Sequence, residues 1–355
     1  MDAAVVLITG CGPAWAGRQN GRVTAPTDLE SLPRLLAAWD LPPDTTVIPA
    51  EQGTNNRTFL LRRGGLRFVL QVSQTLSAAQ VGAVHRILRR LREAGLPFRV
   101  PEPVAARGGD TVIETASGPA TVCRWISGVR PDLTDRTALE RFGRAAGLLG
   151  EALLGVPPED GLGDWRGDPL AHPAVPHVGE LCRRLRAAGV GAERVARLDA
   201  VARRVGREWA AGGGGLPAQL IHGDLAASNV LVDEDTGEVR GLLDFEFAGV
   251  GFLVQDVMAA LFYSGALETR DWRLRTAAFL RGYASVRPLD PAEADALPRL
   301  LLARAAGSAL SRAGRWLDGK ARLGEVTDRV RKLEDTTRWL EANGGELRSL
   351  AAAGG

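Results

Sequence analysis

The sequence predicts an α+β chain in which a small antiparallel β lobe precedes a larger, mostly helical lobe. Two observations predict it. Up to residue 125, short β-type runs are broken by Gly-containing turns in the order strand, strand, strand, helix, strand, strand. After Gly128, long Ala/Leu/Arg segments dominate, interrupted by one strand-rich insert.

The elements follow in order. Residues 29–39 place Leu29, Leu32, Leu35, Leu36 and Trp39 at helical spacing and stop before Pro42-Pro43. Strands fit 45–49 and 58–62 around the polar loop Gln52 to Arg57, and Gly64-Gly65 turns the chain into a third strand, 66–72. A helix over 77–94 carries Val81, Val84, Leu88 and Leu91 on one face and stops at Gly95. Strands at 111–115 and 120–125 flank Ser117-Gly118-Pro119. Helices are then expected over about 137–155, 176–212, 267–284, 291–317 and 322–342, with loops at 161–176 and 211–217. The division is an extension at 1–27, a small lobe at 28–125, and a large helical lobe at 126–355 containing the insert 220–247.

Composition narrows the function. A net charge of +2 supplies no concentrated basic face, so nucleic acid is not an expected partner. Cys11, Cys123 and Cys182 lie far apart without metal-ligand spacing, as reduced thiols in a cytoplasm do. No apolar run approaches the ~20 residues of a membrane span, and the stretch Ala3 to Thr9 lacks the length and preceding positive charge of a signal peptide. Oligomeric state has no sequence signature here.

The chemistry sits in the insert. It reads His222-Gly223-Asp224, then Asn229, then a turn at 233–237, then Leu243-Asp244-Phe245-Glu246. His-x-Asp-x-x-x-x-Asn is the spacing of a kinase catalytic loop, in which the Asp receives the acceptor hydroxyl proton and the Asn binds metal. Asp244 follows fifteen residues later behind an apolar strand, where a second metal ligand belongs. Phosphoryl transfer needs positioning and charge neutralisation more than a strong nucleophile. A carboxylate and a carboxamide oxygen suit a hard ion such as Mg²⁺. Asp224 or Asn229 alone would read as a cap or turn residue; the whole arrangement points to ATP- and Mg²⁺-dependent transfer of a γ-phosphate to a hydroxyl of a small molecule. His222 is expected to hold the loop by hydrogen bonds.

These motifs, with Asp256-Val-Met-Ala-Ala-Leu261, resemble the aminoglycoside phosphotransferase / choline kinase superfamily, whose members have a two-lobed protein-kinase-like fold. Within it, residues 53–56, Arg67 to Leu70, Leu91 to Pro97, Arg124 to Gly128 and the late helix from Ala296 to Trp316 are similar to type II homoserine kinases, over about residues 28–320. The resemblance implies a nucleotide-binding small lobe. Gly53, Thr54, Asn55 and Asn56 would cover the phosphates with backbone amides, although alone they read as a hairpin turn. Cys123 to Trp125 would carry the adenine ring, with core packing the competing reading for Trp125.

The sequence departs from the family in two places. The third-strand lysine that pairs with ATP phosphates in many relatives falls on Gln71, and its helix glutamate falls near Gln80. Phosphate binding would then fall to Arg57 or Arg67, or be weakened, which keeps a nucleotide-binding pseudokinase as the alternative; Arg67 reads equally as a solvated strand residue. Where homoserine kinases carry an Arg-Phe pair, this chain has Gly307-Ser308, so space beside Gly307 is expected for a larger or differently charged acceptor. Amino acids, amino alcohols, amino sugars and antibiotics all stay open as acceptors. Glu246 is a weaker site candidate, Asp256 is expected to N-cap a helix, and Arg312 with Trp316 reads as a packed face.

Overall fold

The computed structural model describes residues 32–50, 56–170, 175, 177–212 and 215–354. The expectations for the extension 1–27, Leu29, Cys11 and the loop residues Gly53, Thr54 and Asn55 lie outside the described residues.

The first half opens with α1 (Leu32–Ala37), then β1 (Thr46–Pro49), β2 (Asn56–Arg63), β3 (Leu66–Ser73), α2 (Ala78–Glu93), β4 (Ile113–Thr115) and β5 (Gly118–Arg124). Next come α3 (Arg136–Leu154), β6 (Gly163–Asp164), α4 (Val178–Ala187), α5 (Ala192–Gly212), β7 (Ala218–Ile221), β8 (Val230–Val232), β9 (Val239–Leu242) and β10 (Gly249–Phe252). The chain closes with α6 (Val254–Tyr263), α7 (Trp272–Ala284), α8 (Pro291–Leu317) and α9 (Leu323–Ala353).

Two compact units result. One comprises Met1–Asp132, Gly155–Leu162 and Ala226–Ala248; the other comprises Leu133–Leu154, Gly163–Leu225 and Gly249–Gly355. The expected division at 125/126 put the whole insert 220–247 in the helical lobe. The structure instead packs Ala226–Ala248 with the β-rich unit. The cause is backbone hydrogen bonding: Arg99 donates to Arg240, Leu242 to Arg99, and Val129 and Val232 donate to each other, at 2.8–3.0 Å. Ile126 also packs on Leu231 and Leu243.

The β-rich unit is built on a five-stranded antiparallel sheet ordered β1-β2-β3-β5-β4. Alternation gives it two faces. Leu61, Phe68, Leu70, Val72, Ala120 and Val122 share one face and bury it against Leu36, Trp39 and Leu41 at and beyond α1. Full burial of a residue such as Leu61 or Leu70 stabilises by about 1.5–3 kcal/mol. The Trp39 indole satisfies its polar edge by donating to the Val104 carbonyl. α2 begins with a capping box, in which the Ser77 hydroxyl accepts the Gln80 N–H and Gln80 returns its carbonyl to the Ser77 N–H.

In the helical unit, α3 and α7 pack with little between them. A Cβ at Gly143 would stand 1.9 Å from the Phe279 carbonyl oxygen, and one at Gly282 would stand 1.9 Å from that of Glu140. Phe142 and Phe279 meet edge to face beside this contact, with centroids 5.3 Å apart. A small sheet ordered β6-β10-β7 leads into the segment that begins at His222, β10 running antiparallel to β7. The expected helix 176–212 is two helices, because Gly189 at φ +89 ends α4. The expected helix 322–342 continues to Ala353, past Gly344 and Gly345.

Candidate active site

In the β-rich unit, Asn229 ends a one-turn 3₁₀ segment, Ala227–Asn229, and is fully buried just before β8. Its carbonyl accepts the Leu243 N–H at 2.9 Å across the end of the β8–β9 hairpin, which brings Asn229 beside the residue preceding Asp244. Asp244 has φ +63, a left-handed conformation that costs a non-glycine residue about 1 kcal/mol or more. Asp40 also has positive φ, at +55, but it merely terminates α1, where Leu41 donates back to Leu36. Asp244 closes no helix, and strain of this kind concentrates where a side chain must be aimed.

Glu246 has a definite partner. The Asn56 amide, at the start of β2, donates to its carboxylate at 3.0 Å, so the segment after β9 is pinned to the start of β2. Gln71 on β3 lies opposite Thr58 on β2 and Thr121 on β5, forming a neutral polar row on the face away from α1. Arg57 lies opposite Val72 and therefore shares the α1-packed face, which corrects the expectation that it stands in for the missing lysine. Arg67 is exposed on Gln71's face, four residues and hence about 13 Å along the strand. Gln80, near which the family's helix glutamate falls, is engaged locally. Its side chain is spent on the α2 cap and on the Gly161 carbonyl, at 2.9 Å.

Cys123 is buried opposite Val69, and burial with the nearby Glu102 carboxylate pushes its thiol up to about 12. Trp125 is half-buried and continues the strand pairing by donating its N–H to the Arg67 carbonyl.

In the helical unit, the site is built around Asp224. The Asp256 carboxylate accepts the N–H groups of His222 at 2.8 Å and Gly223 at 2.9 Å. Gly223 turns at φ +79, a conformation glycine adopts without the cost a side chain adds. Asp224 then donates its own N–H to His222 Nδ1 at 3.3 Å, so His222 holds the loop. Asp256 was expected to N-cap α6. The cap position belongs to Leu253, and Asp256 sits inside the first turn with its side chain gripping the His222-Gly223 backbone. Burial raises its pKa, while His222 and the two N–H donors pull the other way.

Arg304, on α8, was not singled out from the sequence. Its Nη2 donates to Asp224 Oδ1 at 2.8 Å and its Nε to the Tyr263 hydroxyl at 3.0 Å. Asp224 itself is 3% exposed. One turn further along α8, the expectation of open space beside Gly307 fails, because a Cβ there would meet the Pro169 carbonyl oxygen at 2.7 Å. Arg312 is paired with Glu325 at 3.0 Å. Among the described residues no three His, Cys, Asp or Glu side chains cluster as a metal-binding group, and no helix is long and apolar enough to cross a membrane.

Similarity to solved structures defines the class first: the architecture is protein-kinase-like. The microcompartment-associated aminopropanol kinase superposes with a TM-score of 0.69 at 23% identity, over 89% of this chain and 99% of that one. The amicoumacin kinase hAmiN, solved with AMP-PNP, Ca²⁺ and Ami, superposes with a TM-score of 0.66 at 15% identity, over 88% and 94%. In sequence, a homoserine kinase of Brucella anthropi is 30% identical over 292 residues, covering 80% of this chain and 83% of its own length. One of Gluconacetobacter diazotrophicus is 30% identical over 294 residues, covering 82% and 88%. The model of the phosphotransferase enzyme family matches residues 46–289. The chain belongs to that family and is an ATP-dependent small-molecule kinase.

Proposed function

We propose that the chain transfers the γ-phosphate of ATP to a hydroxyl group of a small molecule, with Asp224 as the base and Mg²⁺ held by Asn229 and Asp244. One observation carries the reading. Asp224 is a buried carboxylate whose loop is set by bonds from His222 and Gly223 to Asp256, by its own N–H on His222, and by Arg304.

Asp224 would orient the acceptor hydroxyl and receive its proton as the new ester bond forms. Preorganisation matters here because the transition state is reached mainly through positioning. The donor set fits the metal: a carboxamide and a carboxylate are hard oxygen ligands, and Mg²⁺ ordinarily takes one or two protein side chains plus phosphate and water. When bound, the ion supplies charge neutralisation at the phosphates. Gln71, with Thr58 and Thr121 beside it, offers neutral hydrogen bonds where many relatives place a cation, so more of the charge neutralisation falls to the metal. The relatives act, by name, on homoserine, aminopropanol and amicoumacin, which supports a small hydroxylated acceptor as the general class.

The test is acceptor-dependent ADP formation over a panel of amino acids, hydroxy acids, amino alcohols and aminoglycosides, with and without Mg²⁺. Asp224→Asn should lower the rate at least 100-fold and Asp244→Asn should raise the Mg²⁺ requirement. Equal ADP formation by the wild type and Asp224→Asn would end this reading.

A further inference from the structure

α8 and α9 face one another with more positive charge than they can pair. Arg312 and Arg315 share a face of α8, being one turn apart, and Glu325 and Arg329 share a face of α9 in the same way. The ion pair from Arg312 Nη1 to Glu325 Oε2, at 3.0 Å, brings those two faces together. Glu325 is already committed, since it also accepts the Arg322 N–H at 2.9 Å and lies 3.5 Å from that residue's Nε. Arg322 is 86% exposed, so water meets its charge. The other three arginines are drier. The Arg312 side chain is only 17% exposed, and Arg315 and Arg329 are half-buried. Neither Arg315 nor Arg329 forms an ion pair among the described residues, and Arg315 Nε is buried there without an acceptor. The flanking acids do not relieve them: Asp318 is exposed at the end of α8, and Asp328 pairs with Arg331 at 3.1 Å. Burial, then repulsion from Arg329 with a smaller part from Arg315, holds the Arg312 guanidinium below its ordinary pKa against the pull of Glu325.

We infer that Arg312, Arg315 and Arg329 form a binding site for a phosphate-bearing small molecule on the α8–α9 face. The inference does not rest on the phosphotransfer reading. Arg312 lies two turns, about 12 Å, along α8 from Arg304, the residue that bonds Asp224. Arginine stays charged at any working pH and carries five N–H donors in a flat fork. Three such groups against one carboxylate leave an excess of two positive charges, which a phosphate monoester dianion would cancel. A tetrahedral phosphate can accept from several forks at once, whereas a carboxylate is filled by a single bidentate fork. The competing reading is that the arginine stems merely cover apolar surface and their heads are solvated. That reading requires any salt to relieve the repulsion equally, with no saturable binding.

The experiment uses the full chain with ADP at saturation, so that the nucleotide site is filled before any other anion is added. Inorganic phosphate and pyrophosphate are titrated by calorimetry and thermal shift. Sodium chloride at matched ionic strength and citrate serve as comparison anions, and ADP binding is measured separately. Phosphate and pyrophosphate should bind saturably and raise the unfolding midpoint. Arg315→Gln and Arg329→Gln should each weaken that binding roughly 10- to 100-fold, the range of one hydrogen bond to a charged group, with ADP affinity unchanged. Arg315→Lys and Arg329→Lys keep the charge, serve if the Gln variants fold poorly, and should retain part of the affinity.

Stabilisation by phosphate no greater than that by sodium chloride overturns the inference, because screening alone would then account for it. Tighter binding of citrate than of pyrophosphate overturns the assignment to phosphate. Unchanged phosphate affinity in both Gln variants removes the site from these arginines. Lys variants that lose phosphate and ADP binding together also overturn it, since the arginines would then only hold α8 to α9.

Discussion

Removing the Asp256 carboxylate tests whether the His222-Gly223-Asp224 segment is held from α6. In Asp256→Ala the N–H groups of His222 and Gly223 lose their acceptor inside a buried site. Each unmet donor costs about 1–3 kcal/mol. Part of that is recovered because the variant no longer buries a carboxylate whose raised pKa records a desolvation penalty. The expected net loss is about 2–4 kcal/mol, read as a lower midpoint in urea unfolding. Asp256→Asn keeps the volume and one acceptor oxygen and should lose about half as much. Activity should suffer beyond stability, because Asp224 directly follows Gly223, and a displacement of about 1 Å costs on the order of 100-fold in rate. The pattern expected at a temperature where both proteins are folded is a kcat reduced about 100-fold with KM for ATP little changed. An Asp256→Ala protein with wild-type midpoint and wild-type kcat would refute the argument.

Three further outcomes follow from other contacts. Glu246→Ala should raise KM for ATP about 3- to 10-fold, the effect of one hydrogen bond to a charged group, by releasing Asn56. Glu246→Gln, which still accepts the Asn56 N–H, should stay near wild type. Burial holds the His85 imidazole down to about 4, with Nδ1 2.7 Å from the Thr111 hydroxyl. Because that lies below the ordinary 6.5, neutral His85 contributes stability above pH 6.5 that is lost as pH falls through about 4. His85→Gln should accordingly show less acid destabilisation than the wild type, by up to about 3 kcal/mol across that window. Gly143→Ala should destabilise by more than about 2 kcal/mol in thermal or urea unfolding, although alanine in a helix ordinarily gains up to 1 kcal/mol, because its Cβ strikes the Phe279 backbone.

The legibility of the sequence varied with how local the deciding physics was. The hairpin carrying Asn229 and Asp244 was readable because Val230 to Val232 and Val239 to Leu243 are apolar strands bounded by an Asp-Thr-Gly turn. β10 was not read: Gly249-Val-Gly-Phe252 has weak strand propensity and becomes a strand by pairing with β7. Asp256 was misassigned because an acidic residue in a first helical turn has an obvious local use, whereas its real partners lie 33 and 34 residues away. Arg304 carried no signal at all, being one arginine among more than forty. Only the packing of α8 makes it a partner of Asp224. α9 runs past its expected end at 342 and through Gly344-Gly345; Gly344 is buried, and a Cβ there would stand 3.8 Å from the Pro298 side chain.

The interleaving of the two units bears on how such a kinase can change by recombination. The chain passes from one unit to the other at 132/133, 154/155, 162/163, 225/226 and 248/249. A crossover after residue 132 would therefore hand a recipient the sheet β1–β5 without the hairpin its edge segments bind. The passage at 225/226 falls inside the His-x-Asp-x-x-x-x-Asn stretch itself, so Asp224 and Asn229 are inherited as a block even though they fold with different partners. Gradual substitution within either unit keeps that block intact, whereas wholesale exchange of one unit divides it.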